Sequence, residues 1–508
     1  MNKKLFGLGF VVLALAGSVF YSPSCLGKVL LEKNNDLPLT VFNITFRAGS
    51  ADDPQARQGL ANLTARLVRE GGVKALGDLP ALTRPELEKV LFPLAADISV
   101  SVNKEQTSFS VMATAENGDR VFALLRQVLQ APALDPVEFK RIKEETKLSL
   151  TQKWPQQDQE ELGKAALERV MYGPAHPYSH VVEGTLAGVE ATTIEDVKEF
   201  AAKLYTKQRL TVGVTGVIGG DLEAAVKVFN DSLPEGESAK ATLPAAPAHT
   251  ARTLTLVKGD FEGTGVHLGH PTSLTRASAD FPAMFLANNA YGKHRDFVGR
   301  LMRIVREIRS MNYGTYSYIE EFPNGGRYLS EQTQVARSQQ AFTVWGRPTT
   351  AENGCFLLRL LARETTKLAN EGITEEEFKR VQKYLIGNIP ITAAGIEKRL
   401  GISIDSEFYG VTGDYLANLQ AKVSELTHEQ VNAAIKKYVQ PESLQMVVVT
   451  KDTDAFSKEI SSDKCEITYK DGVEVPAEIS EEDKKIAVYD VGVEAAQIKV
   501  VPAASLFE

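Results

Sequence analysis

Cysteine is nearly absent from these 508 residues; only Cys25, Cys355 and Cys465 occur. Three cysteines so spaced give neither a metal-ligand pattern nor a disulfide framework. The expectation is a fold held by its core, which is feasible at this length. Excess positive charge is missing too. Lys and Arg number 57 against 65 Asp and Glu, a formal net charge of -8, which argues against nucleic acid as a default partner. No phosphate-binding glycine loop and no Ser/His/Asp arrangement stands out. Long apolar runs are lacking beyond Tyr21. The run from Leu5 to Tyr21 follows Lys3 and Lys4 and precedes Ser22-Pro23-Ser24-Cys25. It is shorter than the roughly 20 residues of a membrane span, so residues 1–25 read as a secretory signal peptide. The expected location is periplasmic or secreted. Cys25 stays open as a lipid acceptor, although Ser22 and Pro23 are poor neighbours for that, and an uncleaved anchor is the other alternative.

What is present is an internal duplication. Gln106-Thr107-Ser108-Phe109-Ser110-Val111 corresponds to Gln339-Gln340-Ala341-Phe342-Thr343-Val344, and Glu138-Phe139-Lys140-Arg141-Ile142 to Glu377-Phe378-Lys379-Arg380-Val381. Tyr205 pairs with Tyr438, Leu210 with Leu444, and Ser50-Ala51-Asp52 with Ser278-Ala279-Asp280, all at offsets between 228 and 239. Repeats of this kind decide the fold reading. Phe42, Ile44 and Phe46 alternate with polar residues, as do Phe109, Val111 and Ala113, which predicts half-buried antiparallel strands. Asp135 with Glu138, Thr374 with Glu377, Thr193 with Asp196 and Thr427 with Gln430 are helix-start signals in both copies. Strand runs followed by helical runs argue for α+β. The expected organisation is a first domain over 28–232, an exposed Pro-rich linker over 233–252, a second domain over 253–451 and an extension over 452–508. Within that extension Ser480 to Lys485 reads as solvated charge, and Ile498 to Val501 as a short edge strand.

The stretch Gly59 to Gly72 follows a strand-like run and a polar turn, Ser50 to Pro54. Leu60, Leu63, Leu67 and Val68 recur at helical spacing. This setting resembles the zinc helix of the pitrilysin/insulinase metallopeptidases, whose inverted motif is H-x-x-E-H. The three chemical positions here hold Asn62, Ala65 and Arg66. The resemblance covers about residues 28–450, includes His176-Pro177-Tyr178, and extends to the ending Lys499-Val500-Val501-Pro502. It is strongest toward the bacterial, mitochondrial-processing-peptidase-like branch.

That resemblance implies two α+β halves, each an antiparallel or mixed sheet packed with helices, forming half of a clamshell chamber. It implies a third metal-ligand position on the helix beginning near Phe139, aligned to Ser149. Glu144 and Glu145 lie nearby, but without two histidines they read as solvated helix charge. The family also carries Arg-Glu-x-Arg-Gly-Leu-x-Tyr opposite the zinc. Here the segment is Arg306-Glu307-Ile308-Arg309-Ser310-Met311-Asn312-Tyr313. Arg306 and Tyr313 are therefore the expected substrate-binding pair, with Ser310 in place of glycine and Tyr316 and Tyr318 as competing tyrosines. His267 and His270 fall on opposite faces of a strand, and His176 and His180 flank Pro177 in a loop; none is expected to hold metal.

The expectation is a non-catalytic subunit that binds no zinc. A homologous partner carrying H-x-x-E-H would complete a heterodimeric peptidase acting on unfolded peptides or small proteins, with zinc in that partner. The alternative is a non-proteolytic binding or assembly protein reusing the clamshell.

Overall fold

The computed structural model describes residues 27–237, 243–323, 326–328, 332–470 and 474–508. The expected signal segment, part of the linker and the turn at Asn324-Gly325 lie outside the described residues. Among the described residues no helix is long and apolar enough to cross a membrane.

The fold is α+β and is built twice. The first sheet contains β1 (Lys28–Lys33), β2 (Leu39–Phe46), β3 (Ser99–Val102), β4 (Thr107–Thr114) and β5 (Leu210–Gly216). The second contains β6 (Thr253–Lys258), β7 (Thr264–Thr272), β8 (Thr315–Tyr318), β9 (Gln340–Thr349), β10 (Gln445–Thr450) and β11 (Lys499–Pro502). Their orders are β1-β5-β2-β4-β3 and β11-β6-β10-β7-β9-β8. With β11 set aside, the orders are the same. Both sheets have one parallel pair at the same place, β1 with β5 and β6 with β10, and antiparallel pairs elsewhere. The sequence anchors fall on matching elements: Phe109 in β4 and Phe342 in β9, Leu210 opening β5 and Leu444 just before β10.

Seven helices position the rest: α1 (Leu60–Glu70), α2 (Pro136–Leu148), α3 (Gln159–Tyr172), α4 (Gly354–Glu371), α5 (Glu375–Thr392), α6 (Ile396–Phe408) and α7 (Ala477–Ala487). Their starts follow the capping chemistry. The Asp135 side chain accepts from the Val137 and Glu138 amides, and Thr374 with Glu377 closes a capping box on α5.

The halves exchange helices. α3 belongs to the first half but packs on β7 and β10 of the second, while α6 of the second packs on β5 and β2 of the first. The strand β2 is therefore buried on both faces, with Val41, Asn43 and Thr45 as hidden as Phe42 and Ile44. This corrects the half-buried expectation: alternation reports one covered face, and the other half supplies the second cover. Both crossings use a glycine for close approach. A Cβ on Gly163 of α3 would stand 2.1 Å from the His267 ring, and one on Gly213 of β5 would stand 2.9 Å from Leu400 of α6.

Buried charge joins the halves as well. Glu168 of α3 accepts from Lys104 (2.9 Å) and Arg337 (2.7 Å), and Arg337 also meets Glu321 at 2.8 Å. The linker is not free. The Pro244 carbonyl meets His176 Nε2 at 3.0 Å and accepts from Gln339, and His249 bonds the Met171 carbonyl.

The extension closes the structure. β11 pairs in parallel with β6. Leu506 and Phe507 then join the first-half core, where Phe507 accepts from the Leu186 amide at 2.7 Å and packs on Trp154. Cys355 of α4 and Cys465 of the extension are disulfide-bonded, with Cα atoms 5.7 Å apart. The sequence reading of no disulfide is thereby corrected; a single pair separated by 110 positions carries no spacing signature.

Candidate functional site

α1 starts on a buried aspartate. Asp53 Oδ2 accepts from the Gly59 amide and Oδ1 from the Ala61 amide, each at 2.7 Å, and His180 Nε2 stands 3.5 Å from Oδ2. The polar turn before the helix thus serves as its cap, although Asp53 lies six residues before Gly59. Burial raises the Asp53 pKa, opposed first by the His180 contact.

On this helix Ala65 is fully buried, and Asn62 and Arg66 are half-buried. The Arg66 guanidinium bonds Glu145 of α2 at 2.6 Å and Glu70 at 3.1 Å. Arg141 of α2 bonds Glu145 at 2.7 Å, Glu138 at 2.6 Å and Glu70 at 2.5 Å. The Arg66 and Arg141 bonds hold the Glu145 carboxyl below its ordinary range. Glu70 is also lowered: burial works against ionisation, but Arg141 and Arg66 outweigh it. Glu145 is therefore not the solvated charge expected of it; it is the carboxylate facing α1. Glu144 keeps the surface role, exposed and 3.4 Å from Lys147. Ser149 lies one turn beyond Glu145, half-buried, at the start of a wide π-type turn (Ser149–Lys153).

These donors do not fit a zinc ion. Zinc sites are made of imidazole, thiolate and carboxylate; here a permanent cation occupies one histidine position, an amide the other, and a methyl group replaces the general base. His267 and His270 are buried and their pKa values fall to about 3 and about 4, chiefly through burial. His267 packs on Gly163, and His270 accepts from the Gln440 amide. Among the described residues, the group of possible ligands within 4.8 Å of one another is Cys355, Glu459 and Cys465, whose sulfurs are bonded to each other.

Arg306 and Tyr313 belong to the second half. Met302–Glu307 forms another wide π-type turn. Ser310 follows with φ of +52°, the left-handed conformation that glycine adopts freely. The family-like turn is kept without its glycine, at a cost of about 1 kcal/mol. Arg306 Nη1 donates to the Tyr313 carbonyl at 3.1 Å, and its guanidinium lies 4.9 Å from the Phe297 ring centre and 5.6 Å from that of Tyr313. Tyr313 is 76% exposed, whereas Tyr316 and Tyr318 are buried against Trp345 and His294. Only Tyr313 of the three presents its hydroxyl to an incoming chain. Among the described residues, no hydrogen bond, ion pair or ring contact joins α1 or α2 to the Arg306–Tyr313 segment.

Sequence reasoning missed Arg309. Its side chain is buried; Nε donates to Asp483 at 2.8 Å, Nη2 to Glu482 at 3.1 Å and Nη1 to the Ile304 carbonyl at 2.9 Å. The acidic run in α7 is thus no mere solvated charge. The available signal was a charged cluster without an obvious partner, which composition cannot pair.

Residues 28–174 match the family model described as Insulinase (Peptidase family M16), and residues 191–385 match Peptidase M16 inactive domain. A protein of Helicobacter pylori named non-peptidase homolog YmxG is 22% identical over 83% of this chain and 91% of its own. An uncharacterized zinc protease of Mycobacterium leprae is 29% identical over 51% of this chain and 55% of its own. Among solved structures, a peptidase M16 inactive domain from Pseudomonas fluorescens superposes with a TM-score of 0.72 at 24% identity, covering 84% of this chain and 96% of that one.

Proposed function

This chain belongs to the insulinase family, peptidase family M16, and from that premise we propose that it is the zinc-free, substrate-gripping subunit of a two-chain metallopeptidase. It is a non-catalytic member by itself, because Asn62, Ala65 and Arg66 leave it without the donors for zinc. The observation that carries the finer reading is the contrast between the two places. The metal position is filled by a salt-bridge network, while Tyr313 stands exposed beside Arg306.

The partner would carry H-x-x-E-H, and the zinc held there would supply an activated water. Arg306 would hold a substrate backbone carbonyl with its planar fork of donors. Tyr313 would donate its hydroxyl to the oxyanion formed as water attacks, which counts only in the transition state. Substrates would be unfolded peptides or small proteins. The Cys355–Cys465 disulfide supports an oxidising compartment, in keeping with a periplasmic or secreted protein.

Mixed with its partner, the chain should create peptidase activity absent from either alone. Arg306→Ala or Tyr313→Phe should lower kcat/KM by roughly one to three orders of magnitude. Full activity of the double variant would refute the role. The second reading, a binding or assembly protein, is favoured by one contact: Arg306 is turned onto the Tyr313 carbonyl of its own loop. Under that reading no H-x-x-E-H chain copurifies.

A further inference from the structure

We propose that the C-terminal extension positions Arg306 and Tyr313, with Asp483 as the positioning residue; this rests on the reading of that pair as the substrate grip. The argument starts at Arg309, midway between the two. Its guanidinium is held on three sides. Asp483 takes Nε, Glu482 takes Nη2 and the Ile304 carbonyl takes Nη1. The third bond ties the turn back onto the segment that carries Arg306. The first two come from α7, outside the residues matched to the family.

The rest of the loop is held lightly by itself. The Met311 amide reaches the Val305 carbonyl, the Ser310 amide the Arg306 carbonyl, and Arg306 the Tyr313 carbonyl. Ser310 sits in a conformation that a non-glycine residue does not choose by itself. Such a backbone persists where its surroundings over-determine it, and the buried Arg309 anchor is the strongest restraint there.

The anchor is in turn held rigidly. Asp483 accepts a bond from the Tyr469 hydroxyl at 2.5 Å, and Glu482 meets Arg363 of α4 at 3.3 Å. The Cys465 amide donates to the Ala487 carbonyl at 2.8 Å, and the Cys465 sulfur is bonded to Cys355 of α4. A core helix, a disulfide and an acidic helix thus form one frame, and its free end is a carboxylate aimed at the loop.

The test uses the full chain and two readouts. In Asp483→Ala, amide hydrogen exchange over residues 304–314 of the isolated chain should accelerate about tenfold or more, with α1 unchanged. Asp483→Asn, which keeps shape and one acceptor, should give an intermediate rate and guards against a variant that fails to fold. In the two-chain mixture, Asp483→Ala should lower kcat with little change in KM, and should add nothing to Arg306→Ala/Tyr313→Phe. Unchanged exchange overturns the proposal, and so does an equal further loss in that double variant. A mixture with no peptidase activity at all would instead refute the subunit reading, and the exchange rates would still decide the positioning role.

Discussion

At the residue scale the question is what a guanidinium does where a metal-binding imidazole would stand. Arg66 brings a fixed charge to carboxylates that would otherwise repel one another, and Arg141 shares the task. Removing that charge is therefore the first step toward a metal site. Asn62→His with Arg66→His places two imidazoles one turn apart opposite Glu145. The variant should take up close to one zinc per chain by equilibrium dialysis, and Glu145→Gln should abolish the uptake. Glu70 and Glu145 also set a pH dependence. Both are lowered from an ordinary value of 4.5. Their contribution is thus fully present above about pH 4.5 and is lost as pH falls through their lower folded values. Glu145 is half exposed, so the amplitude is small, within about 1 kcal/mol. Thermal melts of the native chain and of Arg66→Met should converge as pH drops from 5 to 3. The missing chemistry at 62, 65 and 66 is legible in the sequence. The facing carboxylate is not, because the pairing of α1 with α2 is a matter of packing, and one turn of helix separates Glu145 from Ser149.

At the scale of elements, α1 depends on a residue outside it. Asp53 satisfies two amides at the helix start while fully buried. Asp53→Ala should cost about 1–2 kcal/mol, the range for lost caps, and lower the Tm of the whole chain; an unchanged Tm would refute the assignment. Other helix starts could be read directly. Thr193, Thr374 and Thr427 each close a capping box with the residue three positions on. Those signals are local, so a linear chain displays them. Asp53, Arg309 and the Cys355–Cys465 pair act across the fold, and nothing in their neighbourhood in sequence names the partner. The strand pattern of β2 misleads for the same reason, since its second cover arrives from residues 396–408.

For the whole molecule, the exchange of α3 and α6 makes each half incomplete. Residues 27–237 alone would bare the face of β2 and β5 that Leu400 and Ile404 cover. They should not melt cooperatively when expressed alone, and should do so when mixed with residues 243–508. Circular dichroism and size-exclusion chromatography of the fragments check this, and a cooperatively folded isolated half would refute it.

The reciprocal loan of a helix is also a historical record. Two like units that each give the other the same element obey a two-fold relation, the arrangement of a paired homodimer. The chain reads as such a pair joined end to end. Once joined, the copies no longer had to be identical, and each was free to drift wherever the loaned helices do not touch. The first copy's Arg66 and the second copy's Tyr313 are then divergent outcomes of one ancestral surface.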